Sequence, residues 1–301
     1  MAGGKTKASS AVKHILSFGA GVQSTTLLLL SCEGILPKLD HVIFADTQWE
    51  PSAVYRHLEW CREHAAKHGI TIDVRTAGNL REDVIDFWGP RRKSKDGQRY
   101  ASIPAFIANP DGSGGIVRRQ CTSEYKINVI ERYVREECLA LRRGQRWPRS
   151  HVVTQWIGIS TDEAQRMKRS LRPAVKFWHP LIEADEIAKS DAKSLFARGW
   201  DRNDCLEWLM SRGYPRPPKS ACIGCPFHSN AEWRKLTPEE FADACEVDRL
   251  IREGAQDRKP GQLIGRPYLH SARIPLAEVD LTSGPDNELT WGDECGGVCG
   301  V

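Results

Sequence analysis

The sequence predicts an α/β fold: a Rossmann-like parallel sheet with helices on both faces, plus a smaller helical, cysteine-bearing C-terminal region. Three observations predict it. Short, nearly continuous apolar runs alternate with helical patterns over the first half of the chain, as in a parallel sheet covered on both sides. The stretch Ser17-Phe18-Gly19-Ala20-Gly21-Val22-Gln23-Ser24 reads as a strand end, a glycine turn and the start of an apolar helix. With 301 residues, 40% of them hydrophobic, the chain is long enough to bury a sizeable core.

The elements follow in order. Residues 1–11 are expected to form a flexible leader, and Val12 to Phe18 a first β run. After the glycine turn, Ser24 to Glu33 continues as a helix that Gly34 ends. His41 to Asp46 is a second strand, and Pro51 opens an amphipathic helix that runs through His68 and stops at Gly69. Ile70 to Arg75 is a third strand. Gly89 to Gly115, basic and rich in Gly, Pro and Ser, reads as a long surface excursion. Thr122 to Arg143 resumes as a helix, and His151 to Gly158 as a strand. Ser160-Thr161-Asp162-Glu163 has the spacing of a capping box, and Phe177 to Ile182 adds a strand. The nucleotide-binding-type α/β domain thus spans 12–183, and 184–301 forms the helical remainder with a proline-rich linker at Tyr214 to Pro218. Thr237-Pro238-Glu239-Glu240 marks the start of a last helix.

Net charge is a mild +4, but the basic residues cluster at Arg91 to Arg99, at Arg118-Arg119 and at Arg142 to Arg149. Such clusters are solvated faces or face an anionic partner. The leader lacks a following apolar region of signal length, and Leu27 to Leu30 is far too short to span a bilayer, so a cytoplasmic protein without a membrane partner is expected. In a reducing compartment ten unevenly spaced cysteines argue for a metal or redox site over a disulfide framework.

A strand–turn–helix with small residues lets backbone N–H groups approach an anion, and the helix N-terminus adds about half a positive charge. Ser17, Gly19, Gly21, Gln23, Ser24 and Thr25 are the candidates there. Asp46-Thr47-Gln48-Trp49-Glu50 sits at the end of the second strand, and Gly158 to Glu163 with Arg166 at the end of a later one. Ligands of open α/β sheets bind beyond carboxyl strand ends, so these stretches can line one crevice, a carboxylate or hydroxyl holding a ribose and Arg166 an anion. Asp46 and Ser160 also suit simple helix capping.

Cys222-x-x-Cys225 is a chelating pair, because two-residue spacing lets both thiolates face one metal. Cys121, ahead of a helix and after two arginines, is the best distant third ligand. Cys295 and Cys299 in the tail are candidates for a fourth ligand or a redox nucleophile. A 4Fe-4S cluster suits an all-cysteine set, while His228 keeps zinc open. Cys32, Cys61, Cys138, Cys205 and Cys245 sit singly in helical patterns and read as small buried hydrophobes.

In this order the motifs resemble the phosphoadenosine phosphosulfate reductase-like group of the adenine nucleotide alpha-hydrolase (PP-loop) superfamily. The glycine loop, Asp46-Thr47-x-x-Glu50, Arg119-x-Cys121-Thr122-x-x-x-Lys126, Gly158-Ile159-x-x-Asp162-Glu163-x-x-Arg166 and Cys222-x-x-Cys225-Pro226 carry it, with Glu294-Cys295-Gly296. The resemblance covers roughly residues 12 to 300. It implies a parallel sheet of five or more strands, with an adenine nucleotide (ATP or a sulfonucleotide) over the strand ends and its pyrophosphate or sulfate at the loop. It also implies a 4Fe-4S cluster on Cys121, Cys222 and Cys225, and a nucleophile at Cys295. Two departures stand out. Thr122 replaces the second cysteine of the family's first pair, leaving three cluster ligands or a fourth from the tail. Gln23 replaces the loop's acidic residue; it can donate to a phosphate oxygen but cannot bind Mg²⁺ as a carboxylate does, which favours a nucleotide held without hydrolysis.

Three functions compete. One is a sulfonucleotide reductase-like enzyme in which the Cys295 thiolate attacks a sulfate sulfur and a thioredoxin-like donor releases sulfite. A second is ATP-dependent thiolation, with a sulfur donor and a nucleic-acid acceptor bound by the basic segments. The third is a zinc-stabilised nucleic-acid-binding or defence-associated module without sulfur turnover.

Overall fold

A computed structural model describes residues 12–88, 103–117, 120–183, 198–256 and 265–282. Its centre is a five-stranded, wholly parallel sheet in the order β3-β2-β1-β6-β7. The strands are β1 (Lys13–Phe18), β2 (His41–Asp46), β3 (Ile72–Thr76), β6 (Val153–Trp156) and β7 (Val175–Trp178). The expected α/β parallel sheet is therefore present. Strand order reverses at β1, which pairs Leu16 with Val42 on one side and with Trp156 on the other. Ligands of open α/β sheets bind at such a switch point, here the carboxyl ends of β1 and β6.

Period-two alternation sends β1 side chains to both faces. Leu16 and Phe18 join α1 (Val22–Cys32), α2 (Ser52–Lys67) and α5 (Arg202–Ser211) in one core. Ile15, with Ile43 and Val153, meets the opposite helix in another. Residues Val22 to Ser31 of α1 are all buried, because the helix lies between the sheet and two other helices. The opposite helix changes type along its length: π over Thr122–Ile127, α over Asn128–Tyr133 (α4) and π over Val134–Cys138.

A third core lies beyond the strand ends and joins α3 (Leu80–Trp88) to α6 (Asn230–Trp233) and α7 (Pro238–Gln256) through Trp49, Val84, Trp233 and Val247. A small antiparallel sheet, β5-β4-β8, flanks it, with β4 Phe106–Ala108, β5 Gly114–Ile116 and β8 Arg266–Tyr268. Asp248, fully buried on α7, accepts from the backbone of Leu269 (2.8 Å) and Leu276 (3.0 Å) and pairs with Arg252. This carboxylate fastens the chain after β8 to the helix.

Several expectations need correction. The first helix starts at Val22, two residues before Ser24, because Gly21 is its extended N-cap. Pro51 occupies the N-cap of α2 and not its first turn. The third strand runs from Ile72 to Thr76, set by the pairing of Val42 with Ile72 and Asp46 with Thr76. The helix after Cys121 ends at Cys138 and not Arg143, and Ala140 just beyond has φ +50°. Register with β6 places the last strand at Val175–Trp178 and not Phe177 to Ile182. The described part of the supposed surface excursion, 103–115, belongs to the β4–β5 hairpin and has Ile103, Ala105 and Ile107 buried. Residues 89–102 lie outside the described residues. The capping box at Thr237 is present: Glu240 N–H donates to Thr237 Oγ1 (3.2 Å), and Thr237 N–H to Glu240 Oε2 (3.0 Å). The box expected at Ser160 is not; its hydroxyl makes no cap and is taken up in tertiary contact. No helix among the described residues is long and apolar enough to cross a membrane.

Candidate functional site

The glycine loop leaves β1 and enters α1 through Ala20 at φ +58°, a left-handed conformation that costs a non-glycine residue about 1–2 kcal/mol. Gln48, at the end of the adjacent β2, has φ +58° as well. Such conformations gather at functional sites, where the surrounding structure holds them in place. Gly158 brings the end of β6 against the same loop: a Cβ there would stand 3.0 Å from the Ser24 backbone nitrogen. Gly21 packs against Ser220, two residues before Cys222.

The loop's side chains are committed within the protein. Ser24 Oγ accepts from Gly19 N–H at 3.2 Å and donates to the Gly21 carbonyl at 3.3 Å. Gln23 Nε2 donates to Ser160 Oγ (3.2 Å) and to Glu163 Oε2 (3.5 Å), and Arg166 pairs with Glu163. Gly158, Ser160, Glu163 and Arg166 therefore do meet the loop, through Gln23. Ser17 and Thr25 do not face the crevice: Ser17 Oγ accepts from Gln155 (2.8 Å), and Thr25 Oγ1 is bonded to His57 Nε2 (3.0 Å) on α2. Asp46 accepts from Gln48 N–H (2.8 Å) and the Tyr55 hydroxyl (2.9 Å).

His57 carries a pH consequence. Burial alone pushes its imidazole down from 6.5 to about 4. The unfolded chain thus binds a proton that the folded chain refuses between those values, so this contribution is neutral above pH 6.5 and unfavourable as pH falls toward 4. It amounts to about 3 kcal/mol. Urea unfolding at pH 7 and pH 4.5 is expected to show a smaller acid loss in His57→Gln than in the parent; equal losses would refute the assignment.

Beyond β2, the three cysteines named from sequence converge. Cys121, Cys222 and Cys225 line one small cavity, of about 20 Å³, together with Thr47, Lys126 and Phe227. The second pair sits on a tight turn: Cys225 N–H donates to the Cys222 carbonyl (3.0 Å), and Ile223 N–H to the Trp49 carbonyl (2.8 Å). Gly224 is required there, since a Cβ would lie 2.1 Å from the Trp49 ring. Lys126, buried, stands 3.7 Å from Glu50 Oε1, which also accepts from Thr47 Oγ1 at 3.0 Å.

The Cys222 thiol is raised well above its ordinary range, first by its hydrogen bond with Cys225, then by burial, then by the nearby Cys225, Glu50 and Cys121. The Cys222 thiol therefore holds its proton until a cation displaces it. Among the described residues no three His, Cys, Asp or Glu side chains stand in ready metal-ligating geometry, and the cavity has room for about one water. The donor set is the one that thiophilic metals take. Cys295 and Cys299 lie outside the described residues. His228 turns away from the thiols: its Nε2 donates to the Cys222 carbonyl (3.0 Å).

Cys61, Cys138 and Cys205 are buried, and Cys32 and Cys245 pack partly buried against the cores, as expected of structural cysteines. Burial raises the Cys32 and Cys245 thiols to about 11. Trp49 and Glu50 belong to the strand-end stretch expected to line the crevice, but their support of the cysteine turn had no signal in the sequence. Comparison of the chain with models of known protein families and with curated proteins found no match.

Proposed function

We propose that the protein is an adenine-nucleotide-binding, iron–sulfur-dependent enzyme of sulfur chemistry, similar to phosphoadenosine phosphosulfate reductases. The observation that carries this reading is the convergence of Cys121 with Cys222 and Cys225, about a hundred positions apart, in one cavity with Thr47 and Lys126. A 4Fe-4S cluster on these thiols would offer a site for sulfur and positive charge beside the substrate. Lys126 supplies positive charge beside the thiols, and Glu50 and Thr47 hold it in place. The glycine loop offers main-chain N–H groups at the adjacent strand end, its side chains serving to fix the turn. In the reductive version the Cys295 thiolate attacks the sulfate sulfur, the nucleotide phosphate leaves, and a thioredoxin-like dithiol releases sulfite as it becomes a disulfide.

A second reading, thiolation of a nucleic acid at the expense of ATP with Mg²⁺, draws on one surface. Between Leu139 and Lys176 the exposed charged side chains are all basic, Arg142, Arg143, Arg146, Arg149, Lys168 and Arg169 among them, while Glu163 is buried. Full turnover by Cys295→Ser would remove the reductive version and leave this one.

Anaerobic purification with metal and sulfide analysis, and mass spectrometry of the copurifying nucleotide, tests the whole reading. Iron and acid-labile sulfide in equal amounts are expected. A colourless protein holding zinc alone would overturn it in favour of a zinc-stabilised binding module.

A further inference from the structure

A separate cavity of about 320 Å³ opens on the other side of the cysteine turn, against the first turn of α2. Arg202, Arg216, Lys219 and Lys235 line it, and Glu232 is its one carboxylate. Burial opposes charge on Glu232, but His228, Lys219 and the Ser229 N–H outweigh it and hold the carboxyl down at about 2. Glu232 is therefore ionised and pairs with Lys219 at 2.5 Å. The balance of the lining remains strongly positive. Helix α2 adds to it: its first turn carries no acidic residue and its N-cap, Pro51, offers no capping side chain, although Glu240 accepts from Ser52 N–H (2.7 Å).

One buried ring nitrogen on the lining of this cavity makes no hydrogen bond. His228 is only 7% exposed. Its Nε2 must carry hydrogen, because the Cys222 carbonyl beside it can only accept. Its Nδ1 makes no hydrogen bond, and its one charged neighbour, Glu232 Oε2, stands off at 3.8 Å as a long ion pair. Buried polar atoms are seldom left so. The glycine loop, by contrast, has its polar side chains satisfied internally.

We propose that this cavity binds a phosphate-bearing small molecule, the phosphate being held by Arg216 and Lys235 at the mouth and Arg202 and Lys219 deeper, beside His228. The volume is at the lower end of small-ligand pockets, enough for a phosphorylated group larger than phosphate itself. The hydrogen bond from His228 to Cys222 places such a ligand one side chain away from the cysteine turn. The assignment rests on charge and geometry, and it stands or fails separately from the sulfur chemistry proposed above.

Calorimetric titration with inorganic pyrophosphate tests it. Arg216→Ala with Lys235→Ala, both at exposed positions, is expected to weaken binding at least about ten-fold, the loss typical of charged hydrogen bonds. Arg62→Ala with Lys67→Ala, exposed on the later turns of α2 and outside the cavity lining, is expected to leave it unchanged. Pyrophosphate is also expected to shift the His228 ring-nitrogen resonances in the parent and not in the first variant. Adenosine monophosphate binding more tightly than inorganic phosphate would identify a nucleotide as the source; equal affinities would identify the free anion. No binding at millimolar pyrophosphate, or binding indifferent to Arg216 and Lys235, overturns the proposal.

Discussion

Cys222→Ser and Cys225→Ser are each expected to reduce bound iron and labile sulfide to background after anaerobic purification, whereas Cys245→Ala keeps the parent content. The contrast follows from surroundings and not from residue type. Cys222 and Cys225 share a tight turn, a cavity and a hydrogen bond with each other, and Cys121 completes a three-thiol lining. Cys245 packs against Leu-rich and aromatic neighbours on α7, where burial alone accounts for most of its raised thiol. A two-residue chelate loses its cooperative advantage when either sulfur goes, and structural metal sites contribute roughly 10 kcal/mol or more. Because the Cys222 proton is held well above the ordinary range, occupancy is also expected to fall as pH is lowered. Parent-like iron in both serine variants, with elution of a folded monodisperse protein, would remove the cysteine turn from the metal site.

Gly224→Ala is expected to destabilise the protein by about 1–3 kcal/mol, the usual cost of forcing a methyl group into a packed core. The physical reason lies in Trp49. The added carbon would stand 2.1 Å from one ring atom and 2.8 Å from two others. Moving the ring away breaks the 2.7 Å bond from its Nε1 to Asp243, and Arg81 holds Asp243 from the other side at 2.6 Å. The main chain cannot yield easily either, because Ile223 N–H is bonded to the Trp49 carbonyl. Calorimetric melting should therefore fall by several degrees, and iron content with it. Trp49→Phe shrinks the ring, so the double variant is expected to lose less than the two single losses added together. An unchanged melting temperature in Gly224→Ala would show that the turn is slack and the Trp49 contact incidental.

Much of the fold was legible because it is local. The second strand, His41 to Asp46, was readable to the residue from its continuous apolar run. The start of α7 was readable because Thr237 and Glu240 bond within one turn of each other. The Cys-x-x-Cys turn announced itself by spacing. The small β5-β4-β8 sheet did not, because strands of three residues carry too short a pattern and β8 joins β4 from more than a hundred and fifty positions away.

Within the candidate site the division is sharper. By itself the sequence determined a glycine turn between a strand and a buried helix, a chelating cysteine pair and a third cysteine suited to join it, since backbone freedom and ligand spacing are properties of short segments. Only the tertiary structure decided where the side chains go. Ser17 lies in the sheet and Thr25 faces α2, because α1 is buried all round and its spacing alone distinguishes no outward face. Gln23 is drawn to Ser160 and Glu163 by strand order, which sets the end of β6 beside β1. The meeting of Cys121 with Cys222, and the turning of His228 away from both toward a cationic cavity, likewise depend on contacts between distant segments, and burial and charge complementarity settle these only when the whole chain is packed.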